Sequence, residues 1–171
     1  MAIHQYNFPT RVHFGSGAVK LLPAALKELG ASRPLIVTDK GLAPLAPVTG
    51  TRELLTQAGL ATELFSGIWG NPVKSQVTAG VAAFAAHRAD AIVALGGGAA
   101  IDVAKVIALM VHHPGDLFDY EDDLPGARPI DQKLPVYVAI PTTAGTGSEV
   151  GRSSVISNDE THVKKIIFSP R

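Results

Sequence analysis

Asp90-Ala-Ile-Val-Ala-Leu95-Gly96-Gly97-Gly98-Ala99-Ala100-Ile101-Asp102-Val103-Ala104-Lys105 decides the fold of this chain. The run Ala91–Leu95 is apolar and β-branched without polar alternation, the pattern of a strand buried on both faces. Three glycines follow, and apolar residues then recur at helical spacing as far as Met110. A buried strand passing through glycines straight into a helix is one βα unit of a parallel sheet. Glycines there let backbone N–H groups approach a ligand, and the helix N-terminus adds partial positive charge; together they make a phosphate cradle. Ile101 stands where the last glycine of a G-x-G-x-x-G fingerprint would fall, and no Gly-Lys-Ser/Thr closes a Walker A loop. Taken alone, the turn also suits a tight strand–helix connection that binds nothing.

Outward from this unit the same alternation continues. Pro34–Thr38 is a second buried strand, and weaker ones are expected over Ala61–Phe65 and Leu134–Ile140. Ala18, Leu22, Ala25, Leu26 and Leu29 fall at helical spacing, closed by Gly30, with Pro23 expected to kink that helix or begin its second piece. Further helices are expected over Thr51–Ala58, Val73–His87 and Gly98–Met110, with a short one opening at Thr146–Val150. Tyr6–Phe14 has the weak alternation of edge strands, which offer a pairing surface for a homo-oligomer. Ser153–Ser157 and Val163–Phe168, separated by Asn158-Asp159-Glu160, form a hairpin pattern. Residues 112–134, with three prolines and no periodicity, are expected to be a long surface loop, His112 and His113 capping its start as a solvated helix end. The fold class is therefore α/β: a doubly wound, mostly parallel, Rossmann-like sheet with a β-hairpin near the C-terminal end.

Composition narrows the function classes. Hydrophobic residues make up 46% and charged residues 18% of 171, which excludes disorder. Fifteen basic residues balance fifteen acidic ones, so neither nucleic acid nor a membrane surface is expected as a partner held by bulk charge. Without Cys there is no disulfide framework, thiolate metal site or cysteine nucleophile. No signal peptide opens the chain and no apolar run reaches membrane-spanning length, so the expected compartment is the cytoplasm.

A second loop lies at the end of the Leu134–Ile140 strand: Pro141-Thr142-Thr143-Ala144-Gly145-Thr146-Gly147-Ser148-Glu149-Val150. Small hydroxyls and glycines donate to phosphate or ribose from side chain and backbone alike. Two such loops at strand carboxyl ends match the crevice where open α/β sheets bind ligands. Asp39 directly follows the strand Leu35–Thr38, where a carboxylate accepts ribose hydroxyls and repels a 2′-phosphate; it equally suits a turn-capping Asp.

These two motifs resemble the hallmarks of the iron-containing (group III) alcohol dehydrogenases. Gly96–Lys105 is similar to that family's Gly-Gly-Gly-Ser-x-x-Asp-x-x-Lys, and Pro141–Val150 matches its second motif almost letter for letter. Phe14–Ala18, Leu35–Gly41 and Asn71-Pro72 agree in order. The resemblance implies a Rossmann-like dinucleotide domain covering residues 1–171 and, beyond it, an all-helical metal-binding domain that these residues lack. It implies a nicotinamide dinucleotide as cofactor, with Asp39, whose carboxylate favours NAD over NADP, on the adenosine ribose and Asn71 helping to hold the cofactor. Gly97, Gly98 and Ala99 would cradle the pyrophosphate, although Ala99 replaces the usual Ser and removes a hydroxyl donor. Thr142, Thr143, Thr146 and Ser148 would line the other side, with Val155 and Lys165 toward the ribose and nicotinamide, and Asp102 contacting the cofactor or its neighbours at the helix start.

The family binds divalent iron or zinc through an Asp-x-x-x-His pair and two later histidines, none of which lies here. The chain is thus expected to be the NAD-binding half of an alcohol or aldehyde oxidoreductase, inactive by itself. The alternatives are a free-standing, non-catalytic dinucleotide-binding module, or half of a dehydroquinate-synthase-like enzyme, which shares the architecture. The Pro141–Val150 run favours the dehydrogenase branch.

Overall fold

Parallel pairing of four strands organises the molecule, a computed structural model that describes residues 10–122 and 124–169. Strands β1 (Pro34–Asp39), β2 (Glu63–Ile68), β3 (Ala91–Gly96) and β4 (Val136–Pro141) form one sheet in the order β2-β1-β3-β4. All three pairings are parallel. The central strands β1 and β3 are almost wholly buried, as unbroken apolar runs require.

Strand alternation splits the apolar residues between two cores. Ile36, Val93 and Leu95 face helices α1 (Leu22–Glu28) and α2 (Ala46–Gln57) through Leu22, Leu26, Val48 and Leu55. Leu35, Val37, Ile92 and Ala94 face α3 (Lys74–His87) and α4 (Gly98–Met110). Helices on both faces make the sheet doubly wound, as expected. Gly80 lets α3 lie against α4: a Cβ there would come within 2.1 Å of Ile107 Cδ1.

Pro23 begins the second piece of its segment, a 3-10 turn over Ala18–Leu21 passing into α1 with proline in the first turn. Schellman closures follow at Gly30 and Gly59, both at φ +80°. Helix α2 starts five residues before the expected Thr51, because Pro47 is accommodated in its first turn and the Thr51 hydroxyl donates to the Pro47 carbonyl at 2.6 Å. Strand β2 lies two to three residues later than expected.

The antiparallel hairpin β5 (Ser153–Ser157) and β6 (Lys164–Phe168) covers the outer side of α4, burying Ile156 and Ile167. Asp159 in its turn accepts from the N–H and hydroxyl of Ser75 at the start of α3, at 3.0 and 2.5 Å. The 112–134 segment departs from a plain surface loop. A 3-10 turn over Leu117–Tyr120 buries Leu117 and Tyr120, and His113 is 3% exposed. His113 donates from Nδ1 to the Leu109 carbonyl and accepts the Gln132 N–H at Nε2. Tyr6 and Phe8 lie outside the described residues, and Val12 and Phe14 are exposed in irregular chain where an edge strand was expected.

Asp90 joins the starts of β1 and β3, accepting from the N–H and hydroxyl of Ser32 and the N–H of Arg33, each at 2.8 Å. Burial pushes its pKa up, but the Arg33 and Ser32 donors together outweigh this and hold it below the ordinary 3.8. A carboxyl depressed in the fold contributes stability above its unfolded value and loses it as pH falls through the folded value. Denaturation midpoints should therefore decline as pH falls below about 5. Asp90→Asn should be less stable at neutral pH and show a shallower acid decline; an unchanged acid slope would contradict the assignment.

Candidate functional site

Because the strands are parallel, their carboxyl ends share one edge, and the loops leaving them surround a crevice. Its first part, about 330 Å³, is lined by Asp39–Gly41 after β1, Ile68–Gly70 after β2, and Gly97 and Ala99 after β3. Its second part, about 390 Å³, is lined by Asn71, Gly98, Ala99, Asp102, the Thr146–Ser148 turn, and the hairpin residues Ser153, Val155, Ser157 and Lys164. Ala99 lines both parts, which therefore adjoin at the start of α4.

That start is built from glycine for steric reasons. Gly96 has φ +153°, and a Cβ on it would meet the Ala100 Cβ at 2.8 Å. A Cβ on Gly98 would come within 2.6 Å of Thr146 Oγ1, so the two loops touch across this glycine. Gly97 is the N-cap of α4 and, among the described residues, no side chain caps the helix, so its first N–H groups are left without a capping acceptor at residues that line the crevice.

Asp39 sits beside this turn. Its Oδ1 accepts the Leu42 N–H at 2.8 Å, as a turn-capping Asp does, and Oδ2 lies next to Gly96. Asp102 lines the second part and binds three partners of its own. It accepts the Ser148 hydroxyl at 2.5 Å and the Val155 N–H at 3.1 Å, and lies 3.6 Å from Lys105 Nζ. One turn along α4, Lys105 Nζ donates to the carbonyls of Ser148 and Ser153 at 3.0 and 2.5 Å. Burial lowers the Lys105 pKa, against the attraction of Asp102 and Glu149. These two side chains draw the second loop and the hairpin onto α4. They also explain why Thr146–Val150 forms a turn and not the expected helix. Under α4, the Tyr137 hydroxyl donates to the Ile101 carbonyl at 3.2 Å, and burial pushes its pKa strongly upward, Asp102's charge adding to this.

Asp39, Asn71, Gly97, Gly98, Ala99, Asp102, Thr146, Ser148 and Val155 are thus all brought to one crevice. Thr142 and Thr143 stand exposed at its rim, the Thr142 N–H donating to the Gly96 carbonyl at 3.0 Å. Lys165 does not line the crevice. It pairs in register with buried Ile156, and its Nζ meets Glu121 Oε2 at 2.8 Å. Lys164, opposite Ser157, is the lysine on the cleft side. Strand alternation read from buried Ile156 would have distinguished them. The Asp102–Lys105 pair has i, i+3 spacing, which signals a helix-surface ion pair, but its loop partners are distant in sequence.

Comparison with known proteins agrees with this fold. A model of the iron-containing alcohol dehydrogenases matches residues 9–171. The chain is 38% identical over 168 residues to a 1,3-propanediol dehydrogenase of Klebsiella pneumoniae, covering 97% of this chain and 42% of that protein. The crystal structure of a 1,3-propanediol oxidoreductase superposes with a TM-score of 0.87 at 37% identity, over 98% of this chain and 43% of that one. Sulfoacetaldehyde reductase from Bifidobacterium kashiwanohense, solved in complex with NAD+, superposes with a TM-score of 0.84 at 28% identity, over 99% of this chain and 44% of that one. The chain spans about two-fifths of the length of the relatives it matches. With the family's model matched from residue 9 onward and both loops meeting at one crevice, the chain belongs to the iron-containing alcohol dehydrogenase family.

Proposed function

We propose that the crevice binds NAD and that this chain is the cofactor half of a metal-dependent enzyme interconverting small alcohols and aldehydes. The observation that carries this is the pair of adjoining clefts on either side of an uncapped helix N-terminus, with a carboxylate at one end. Asp39 accepts the adenosine ribose hydroxyls. The N–H groups from Gly97 to Ala99 hold the pyrophosphate, so the missing hydroxyl at Ala99 is covered by backbone donors. Asn71, Thr142, Thr143, Thr146 and Val155 flank the remainder, with Lys164 in the place first given to Lys165. Asp102 and Ser148 contact the cofactor's side of the second cleft while their mutual hydrogen bond sets the loop position.

When bound, the nicotinamide supplies the hydride chemistry. This chain's residues orient it and shield it from water on the α4 side. Among the described residues no three His, Cys, Asp or Glu side chains form a group able to hold a metal ion. No described helix is long and apolar enough to cross a membrane.

Fluorescence titration tests the cofactor reading. NADH is expected to bind at least about tenfold more tightly than NADPH, because a 2′-phosphate would face the Asp39 carboxylate. Tighter NADPH binding would contradict that role. The chain alone is expected to oxidise no alcohol with NAD and added Fe2+ or Zn2+, and measurable turnover would overturn the half-enzyme reading.

A further inference from the structure

Trp69 is the sole tryptophan of the sequence, and 63% of it is exposed. An indole left this open on a well-packed domain is a large apolar face that no described residue covers. It lies in the first cleft, with Asp39, Gly41 and Gly97. The loop presenting it is fixed at two consecutive carbonyls. Ile68 O accepts the Lys40 N–H at 2.8 Å, and Trp69 O accepts the amide of Gln76 at 2.8 Å. Gln76 is itself 2% exposed, and its other end accepts the Val73 N–H at 3.3 Å. A buried side chain thus holds the backbone that carries the exposed ring, so the loop that presents it to the cleft is fixed.

The two clefts differ in lining. Among the described residues no aromatic lines the second, whereas the first combines an indole face with a carboxylate. A carboxylate accepts vicinal hydroxyls, and an indole stacks on a flat heterocycle. A ligand portion with both features side by side is a nucleoside. We infer that Trp69 is the stacking platform for the adenine base of the dinucleotide, fixing which end of the cofactor enters the first cleft. This rests on the NAD reading above and assigns the base to a residue that neither loop motif contains.

The test compares wild type, Trp69→Ala and Trp69→Phe by calorimetric titration with NAD+ and with AMP, using thermal unfolding to confirm that each variant is folded. In the wild type, AMP should change the intrinsic fluorescence, whose only indole is Trp69. Trp69→Ala should weaken both NAD+ and AMP by about 5- to 100-fold. Trp69→Phe, which keeps a ring, should retain most of the affinity, and all three unfolding midpoints should agree. If Trp69→Ala binds both probes as tightly as wild type, the inference falls while the cofactor reading stands. Equal losses in both folded variants would likewise overturn stacking. Wild-type protein binding neither probe would overturn both readings.

Discussion

Replacing Asp102 by alanine is expected to destabilise the chain by about 3 kcal/mol, because it strands a largely buried ammonium. At this length that is a fall in melting temperature of about 6–12 °C. The side chains of Asp102 and Lys105 are 16% and 17% exposed, so water cannot take over the lost interaction. The Ser148 hydroxyl and the Val155 N–H lose their acceptor at the same time. The variant should also show a stronger pH dependence than the wild type. Lys105 already has a folded-state pKa below its ordinary 10.5, and losing Asp102 lowers it further. In the window between the lowered folded value and the ordinary 10.5 the unfolded chain binds more protons, so stability of the variant should rise with pH across that window, and more steeply than in the wild type. Tyr137, raised in the fold, acts in the opposite direction only above its ordinary 10.0. Asp102→Asn, which keeps one acceptor oxygen, should lose less. Chemical denaturation at several pH values reads all of this, and an Asp102→Ala variant as stable as wild type would refute the clamp.

Gly98→Val should reduce NAD affinity by about 100-fold, combining overpacking with the loss of backbone donors. Any Cβ at this position points at Thr146, with Oγ1 at 2.6 Å and Cγ2 at 2.7 Å. The second loop must therefore retreat, and the new side chain covers the N–H groups it displaces. Gly98→Ala should lose less, and adding Thr146→Gly to it should restore part of the affinity by removing the obstruction. Calorimetric titration with NAD+ measures the series. Unchanged binding in Gly98→Val would mean that this turn does not approach the cofactor.

What could be read from the residues follows from what is local. Strands β1 and β3 are buried on both faces, so their unbroken apolar runs announce them, and α4 begins where the glycines end. Proline placement led in two directions: Pro23 marked a true helix start, while Pro47 and Gly50 masked the first turn of α2. The site's glycines and hydroxyls were legible as loop chemistry because each lies at a strand's end. The groups that hold those loops in place were not. Lys105 reaches carbonyls more than forty residues away, and Asp102 joins two segments that become neighbours only after α4 packs. His113 resembled a solvated helix end because its partners are a carbonyl one turn back and an N–H from across the loop. Lys164 and Lys165 are chemically identical, so only the register of the hairpin separates them. Trp69 belongs to no motif, and its role emerges only when the ends of β1 and β2 are seen side by side.

The most direct test of the central claim is an amide chemical-shift map of the 171-residue chain titrated with NAD+. The largest changes should fall on Asp39–Gly41, Gly97–Ile101, the Thr142–Ser148 loop and Val155, around one crevice. Absence of any change at millimolar NAD+, or changes confined to surfaces away from the N-terminus of α4, would contradict the account.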